Sequence, residues 1–421
     1  MIKFGVGAVS AGALALAAAG SASAASSAQA TGSTHRAVRA ATGSAPVAWV
    51  TNQSATKGSV TPINTATNKV IKNIPVSGTA IAVAITPDEK TAYVALDAPC
   101  PGCRGSVVPV STSTYQVGKQ VKVGMLPATM LITPDGKTVY VGDWNSGTVT
   151  PVHTATNTAG KPIKAGPISG VVMSMAVTPN GKTLYAVNEN PPGFTPIHTA
   201  ANATGTVTPI NTATDTAGPN IKVGVTPGAI VVTPNGKAAY VLNLADGEPG
   251  KGTVTPINTA TNTTGKPIAI KGAQFPDTLN LLLISPSGKI IYAVGNTTLT
   301  PIDTGTDKAL PAIRVAPRGA GDMSAAITPD GKTVYIDGNL GSTNGFVVPV
   351  STATGAVGKA IIVHGLPDLM AVTPNGKTLY VVCSGGTGPQ DIVPVNTATN
   401  TAGHAINTGM QPTAIAITTG H

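Results

Sequence analysis

From Val47 to Ile417 the chain alternates short apolar runs with clusters of Gly, Pro, Asn, Asp and Thr. Short runs rich in Val, Ile, Tyr and Thr, bounded by turn residues, predict strands rather than helices. The runs come in a fixed order. An apolar strand such as "AIAVAI" (80–85) or "MSMAV" (173–177) stops at a Thr-Pro-Asp/Asn-Gly-Lys turn, and a second strand follows at once, as in "TVYVGD" (138–143) or "TLYVVC" (378–383). In that turn Pro sets φ and Gly accepts a positive φ. A third strand, "GTVTPI" or "GSVVPV", leaves through Asn-Thr-Ala-Thr-Asn, whose side chains can bond nearby backbone amides. A short fourth strand, "KVIKNIPV" (69–76) or "KQVKVG" (119–124), completes the unit.

The repetition is close to literal. "TPINTATN" occupies 61–68 and 255–262, and returns as "TPINTATD" from Thr208 and "TPVHTATN" from Thr150. A catalytic motif is needed once, so a phrase this frequent is architecture. The Thr or Ser that opens the first turn stands at 86, 133, 178, 233, 285, 328 and 373, with a truncated copy at Thr418, at intervals of 47, 45, 55, 52, 43, 45 and 45 residues. A period in the forties made of short strands predicts an all-β β-propeller of four-stranded antiparallel blades. Seven residues beyond each turn Thr or Ser lies a tyrosine, from Tyr93 to Tyr380, with Trp49 in the equivalent place of the first unit. A ring there is expected to pack between neighbouring blades, its polar tip reaching a partner or water. The chain begins at a second strand, "VAWVTN", and ends just after a first strand, "TAIAITTGH". Pairing of these two would close the structure without an open edge and give eight blades.

These residues resemble the YVTN β-propeller repeat family, which includes YncE-like exported proteins and archaeal surface-layer propellers. The likeness rests on the "TPDGKTVYV" turn, the "WVTN" at Trp49 and the "VTPINTATN" strand-turn, and it covers 46–421. Family members are usually seven-bladed, so seven is the alternative count. Where they commonly carry Asp in the second turn this chain has Asn64, Asn211, Asn258 and Asn396, with Asp only at Asp303. The resemblance implies a fold; fold does not fix function.

Composition changes the picture at the N-terminus. Lys3, the apolar and small-residue run 4–20 and "SASAA" predict an export signal over 1–24. The run is shorter than the roughly 20 apolar residues of a membrane span, and no later segment resembles one. Residues 25–45 read as a flexible leader and 46–421 as one propeller domain. A secreted or cell-surface location follows, with any attachment non-covalent. The chain carries a net +9, hence +8 without Lys3, but only 10% of its residues are charged and no dense basic run suggests a polyanion groove.

Turns repeat on one face of such a fold, while the loops on the other differ in every unit, and variable loops on a rigid scaffold are where recognition usually lives. The expected ligand patch is Arg104, Asp143, Trp144, Asn188, Glu189, Asp246, Glu248 and Asp337. In "CPGC", Cys100 and Cys103 read as a small-loop disulfide in an exported protein. A redox centre would want the first Cys at a helix N-terminus, a zinc site lacks further ligands, and Arg104 stands where haem attachment needs His. Cys383 is left over. His153 and His198 occupy an Asn turn position and read as turn residues rather than metal ligands; Met130, Met175 and Met370 share one strand register and read as core. Near Phe194, "FTPIHTAANATGT" looks like a local duplication of the following "VTPINTATDTAGP" and predicts a projecting hairpin or loop.

No nucleophile elbow, HExxH, phosphate loop or EF-hand loop is present. The expectation is a non-enzymatic binding or scaffold module with no cofactor, whose partner is an envelope component, carbohydrate or protein. The alternatives are a propeller enzyme, either a lactonase-like hydrolase or a quinoprotein-like oxidoreductase, and a binder of nucleic acid or another polyanion.

Overall fold

The computed structural model describes residues 45–420 apart from 55–56, 99–102, 145, 167–170, 190–203, 246–251, 271–278, 296, 317–323, 340–343 and 386–389. The export signal, the leader up to Ser44, His198, Asp246, Glu248, Cys100 and most of the duplicated segment therefore lie outside the described residues. Within them every regular element is a strand, and none is a helix long and apolar enough to cross a membrane.

The strands pair antiparallel, in the order first, second, third, fourth within each repeat unit. The unit Thr79–Ile85, Thr91–Asp97, Arg104–Ser111 and Val121–Met125 is one such sheet. One sheet has nine strands, because Ile221–Val232 runs on for 12 residues as the fourth strand of one unit and the first of the next. The two ends of the fold share a sheet: Gln411–Ile417 pairs with Val47–Gln53, which pairs with Gly58–Asn64. Thr418 Oγ1 accepts the Val47 N–H at 2.8 Å, fastening that seam. Each first strand also packs against the first strand of the next unit, and Gln411–Ile417 packs against both Leu366–Val372 and Thr79–Ile85.

The core lies between successive sheets. Tyr93, Val107 and Val121 of one unit pack with Met130, Val139 and Val152 of the next; Tyr140, Val149 and Ile163 pack with Met175, Val177 and Leu184 of the one after. Both faces of each sheet are thus covered, which explains why the strands are nearly continuous apolar runs instead of alternating ones. Met370 packs against the corresponding cluster further on.

Both repeated turns are stabilised by their own side chains. In the first, Thr86 Oγ1 donates to Asp88 Oδ1 at 2.6 Å and accepts the Thr91 N–H at 3.1 Å, and the arrangement recurs at Thr133, Thr178, Thr233, Thr328 and Thr373. The threonine hydroxyls hold the Asp88, Asp135 and Asp330 carboxyls below their ordinary range. In the second turn Asn64 Oδ1 accepts the Ala66 and Thr67 N–H groups, and the last residue, Asn68, takes φ +54°. Asn157, Asp215, Asn262, Asp307 and Asn400 fill that left-handed position elsewhere. Asn and Asp tolerate it best among residues with a Cβ, which explains their recurrence.

Those residues are also what the rings reach. Tyr93 Oη donates to Asn157 Oδ1 of the next unit at 2.6 Å, and Tyr140 to Asp215, Tyr185 to Asn262, Tyr240 to Asp307 and Tyr335 to Asn400 at 2.5–2.7 Å. The second-strand tyrosine always sits opposite the third-strand proline, as in Tyr140↔Pro151 and Tyr380↔Pro394, and Trp49↔Pro62 keeps the same register. At these junctions the polar tip of the ring is thus spent on fixing neighbouring units.

Candidate functional site

The variable face is built where second strands end and third strands begin. Three residues past the ring, Asn52, Asp143, Asn188 and Asn243 occupy one register. All four are wholly buried. Asn52 Nδ2 donates to Ser59 Oγ and Thr61 Oγ1 of its own third strand, and Asn243 Nδ2 to Thr253 and Thr255. Asp143 Oδ2 accepts from Thr148 Oγ1 at 2.8 Å and Thr150 Oγ1 at 3.2 Å. Asn188 Nδ2 donates to Thr208 Oγ1 and to the Ala165 carbonyl of the preceding unit. Glycines make room: a Cβ on Gly124 would lie 2.1 Å from Asp143 Oδ2, and one on Gly224 2.6 Å from Asn243 Cγ. These polar groups clamp second strand to third and wedge against the previous unit.

That placement revises the expected patch. Asp143 and Asn188 face the interior, because the strands continue through them before the loops begin. Asp337 is buried as well, two residues past Tyr335, in the register where other units carry Gly142, Val187 or Val382. Its Oδ1 accepts the Ser324 N–H at 2.7 Å, while Oδ2 has no partner among the described residues. Glu189 ends its strand.

Two groups of polar side chains gather at this end of the units. Arg104 is exposed, donates from Nε to the Val123 carbonyl at 2.8 Å, and its charge favours the ionised form of Asp143. Burial outweighs it and pushes Asp143 up to about 6, against the hydrogen bonds from Thr148 and Thr150. Half-buried Trp144 follows, its backbone N–H donating to the Leu126 carbonyl. Cys103, beside Arg104, is disulfide-bonded. Arg104, Asp143 and Trp144 therefore form one locality at the seam between two units.

The second group gathers around Asp337. Burial raises its carboxyl well above the ordinary range, and the charge of Asp368 adds to the effect. Asp368 Oδ2 accepts from Ser384 Oγ at 2.6 Å, and Gln411 Nε2 donates to the Ser384 carbonyl. Free, buried Cys383 has its thiol pushed up to about 12 by burial, with Asp337 and Asp391 contributing. Asp368, Ser384 and Asp391 come from separate stretches of one unit and Gln411 from the next, so spacing along the chain gave no sign of them. Among the described residues no group of His, Cys, Asp and Glu side chains is disposed to hold a metal ion.

His153 Nε2 lies 3.8 Å from Asp215 Oδ2, the carboxylate that also receives the Tyr140 hydroxyl. It belongs to the opposite, repetitive face. There Lys90, Lys137 and Lys332 stand 3.4–3.7 Å from the aspartates of their own turns.

No protein-family model matches the chain, and no curated protein matches it. Solved structures do. The dihydro-heme d1 dehydrogenase NirN aligns over 88% of this chain and 74% of its own, with TM-score 0.66 and 14% identity. Kuenenia stuttgartiensis hydrazine synthase aligns over 76% of this chain and 96% of its own, with TM-score 0.57 and 18% identity. A putative 6-phosphogluconolactonase from Bacteroides fragilis aligns over 90% and 99%, with TM-score 0.54 and 15% identity. At such identities the likeness is one of fold: this is an all-β protein of the β-propeller kind.

Proposed function

We propose that the chain is an exported, eight-bladed propeller of the YVTN-repeat type that acts as a binding scaffold at the cell surface or outside the cell. Its signal is 1–24, its leader 25–45 and its propeller 46–421. Eight blades are supported by seven sheets of which one is double, and closure by the shared sheet of the two chain ends. The Cys100–Cys103 pairing accords with a disulfide at Cys103.

The observation that carries the binding reading is the contrast between the faces. Polar groups of the repetitive face satisfy one another, turn by turn. On the variable face Arg104 and Trp144 belong to one seam, with Asp143 clamped beneath it, and an exposed cation and a half-buried indole at one seam suit a carbohydrate, peptide or envelope polymer. An enzymatic reading has one observation in its favour, the Asp337–Asp368 pair with its unpartnered oxygen and the Ser384 hydroxyl beside it. A polyanion reading is weakened by the lysines that lie beside their own turn carboxylates.

The test is binding of residues 25–421 to envelopes of the source organism over a salt series, with Arg104→Ala and Trp144→Ala alongside. Saturable binding that survives high salt and falls with either substitution supports the scaffold. Binding lost at modest salt favours a polyanion partner. No binding, with activity on a lactone that Asp368→Asn removes, favours the hydrolase.

A further inference from the structure

Six of the tyrosines in the second-strand register donate to the left-handed residue that ends the next unit's turn, at 2.5–2.7 Å. At a seventh junction Trp49 meets Tyr115, which holds that position at φ +60°. Tyr292 is the exception. The turn it faces, Ser351 to Gly355, ends in glycine at φ +70°, so no side chain projects toward the ring. Tyr292 is 4% exposed, and its hydroxyl has no partner among the described residues.

At this junction lies a cavity of about 450 Å³, lined by Tyr292, Leu299, Leu310, Pro311, Ile313 and Gly355 among others. Ile313 is half-buried here, whereas its counterparts Ile163, Ile221 and Ile268 are buried. The volume lies within the roughly 300–1,000 Å³ of small-molecule sites, which are apolar with a few placed polar groups. Apart from the Tyr292 phenol the lining has no ionisable side chain, which selects against a charged ligand. The Trp49 junction indicates what fits. There the Tyr115 ring lies 6.1 Å from the Trp49 ring centre, with Lys72 Nζ 5.6 Å above it, and Pro311 is the counterpart of Lys72 at the Tyr292 junction.

We propose that this cavity is a binding site for a small uncharged aromatic molecule bearing one hydrogen-bond acceptor. The ring takes the volume that Tyr115 fills at the Trp49 junction, and the acceptor receives the Tyr292 hydroxyl as Asn157 or Asn262 does elsewhere. The site is on the repetitive face and stands independently of the Arg104–Trp144 reading.

The test is titration of residues 25–421 with p-cresol, followed by calorimetry and by ligand-observed NMR. Wild type is expected to bind saturably. Gly355→Asn restores the side chain used at the other junctions, in a conformation Asn tolerates, and is expected to abolish binding while raising the melting temperature. Its Cβ would lie 3.2 Å from Ile313 Cδ1, the movable end of a side chain bordered by the cavity. Tyr292→Phe, which leaves the fold without a lost contact, is expected to weaken binding roughly three- to tenfold. Absence of saturable binding to wild type up to the solubility of p-cresol overturns the proposal, and so does equal binding by wild type and Tyr292→Phe.

Discussion

Tyr380 Oη donates to Asn68 Oδ1 at 2.5 Å across 312 residues of sequence, the same bond that joins consecutive units elsewhere. The contact between the last complete unit and the first is therefore made by the ordinary repeat device. Its contribution follows from its partner. Tyr380→Phe and Tyr335→Phe, each losing a bond to a neutral amide, are expected to cost about 0.5–1.5 kcal/mol, and Tyr140→Phe, bonded to the Asp215 carboxylate, about 1.5–3 kcal/mol. Tyr292→Phe should be near neutral. Urea unfolding of the four variants checks the ranking; a cost at Tyr292 equal to that at Tyr380 would sink it.

Trp49 and Tyr115 replace a Tyr–Asn pair with two rings whose centres are 6.1 Å apart at 39°. Each half is matched to the other. Trp49→Tyr alone leaves an underfilled seam, and Tyr115→Asn alone removes the indole's ring partner while relieving a positive φ. The double substitution rebuilds the pair used at other junctions. A double-mutant cycle is expected to give a favourable coupling of about 0.5–1.5 kcal/mol. Strict additivity would mean that the two rings pack independently.

Much of this was legible because it is local. The Thr-Pro-Asp-Gly turn carries its own Thr–Asp bond, the tyrosines keep a fixed distance from it, and the two chain ends supply complementary strands. The surface was harder to read. Asp143 and Asn188 border loops in the sequence, yet they share a register with Asn52 and Asn243, and the side-chain period of a strand turns all four inward. Asp337 breaks that register by one residue and faces the next unit, where Cys383 is. Asp368 meets Ser384 across one hairpin, but Gln411 reaches Ser384 from the following unit, a relation that no spacing within one unit encodes.

Cys383 gives a direct test of the cysteine chemistry. Its thiol is buried and pushed up to about 12, so the thiolate that reacts is scarce and inaccessible. The native protein is expected to resist Ellman's reagent. Unfolded without reductant it should yield one thiol, and unfolded after reduction three. Rapid labelling in the native state, or three thiols without reductant, would contradict the arrangement.

Asp143 sets a pH dependence whose sign can be worked out. Its carboxyl has an ordinary value of 3.8 and is raised to about 6 by burial in the fold. Below 3.8 it is protonated in both states, and the group's contribution is at its most favourable. Between about 4 and 6 the unfolded chain releases the proton while the folded chain retains it, so stability falls; above about 6 both are ionised and the loss is constant. A shift of this size corresponds to about 3 kcal/mol. Asparagine already fills this register at 52, 188 and 243, bonded to the same third-strand hydroxyls. Asp143→Asn is therefore expected to keep the fold, to remove the fall between pH 4 and 6, and to be the more stable protein at pH 7 by about 1–3 kcal/mol. Urea unfolding of both proteins from pH 3.5 to 7.5 decides it. An Asn variant less stable than wild type at pH 7 would show that the ionised carboxylate is a net stabiliser, held by Arg104 and the two threonines strongly enough to offset its burial.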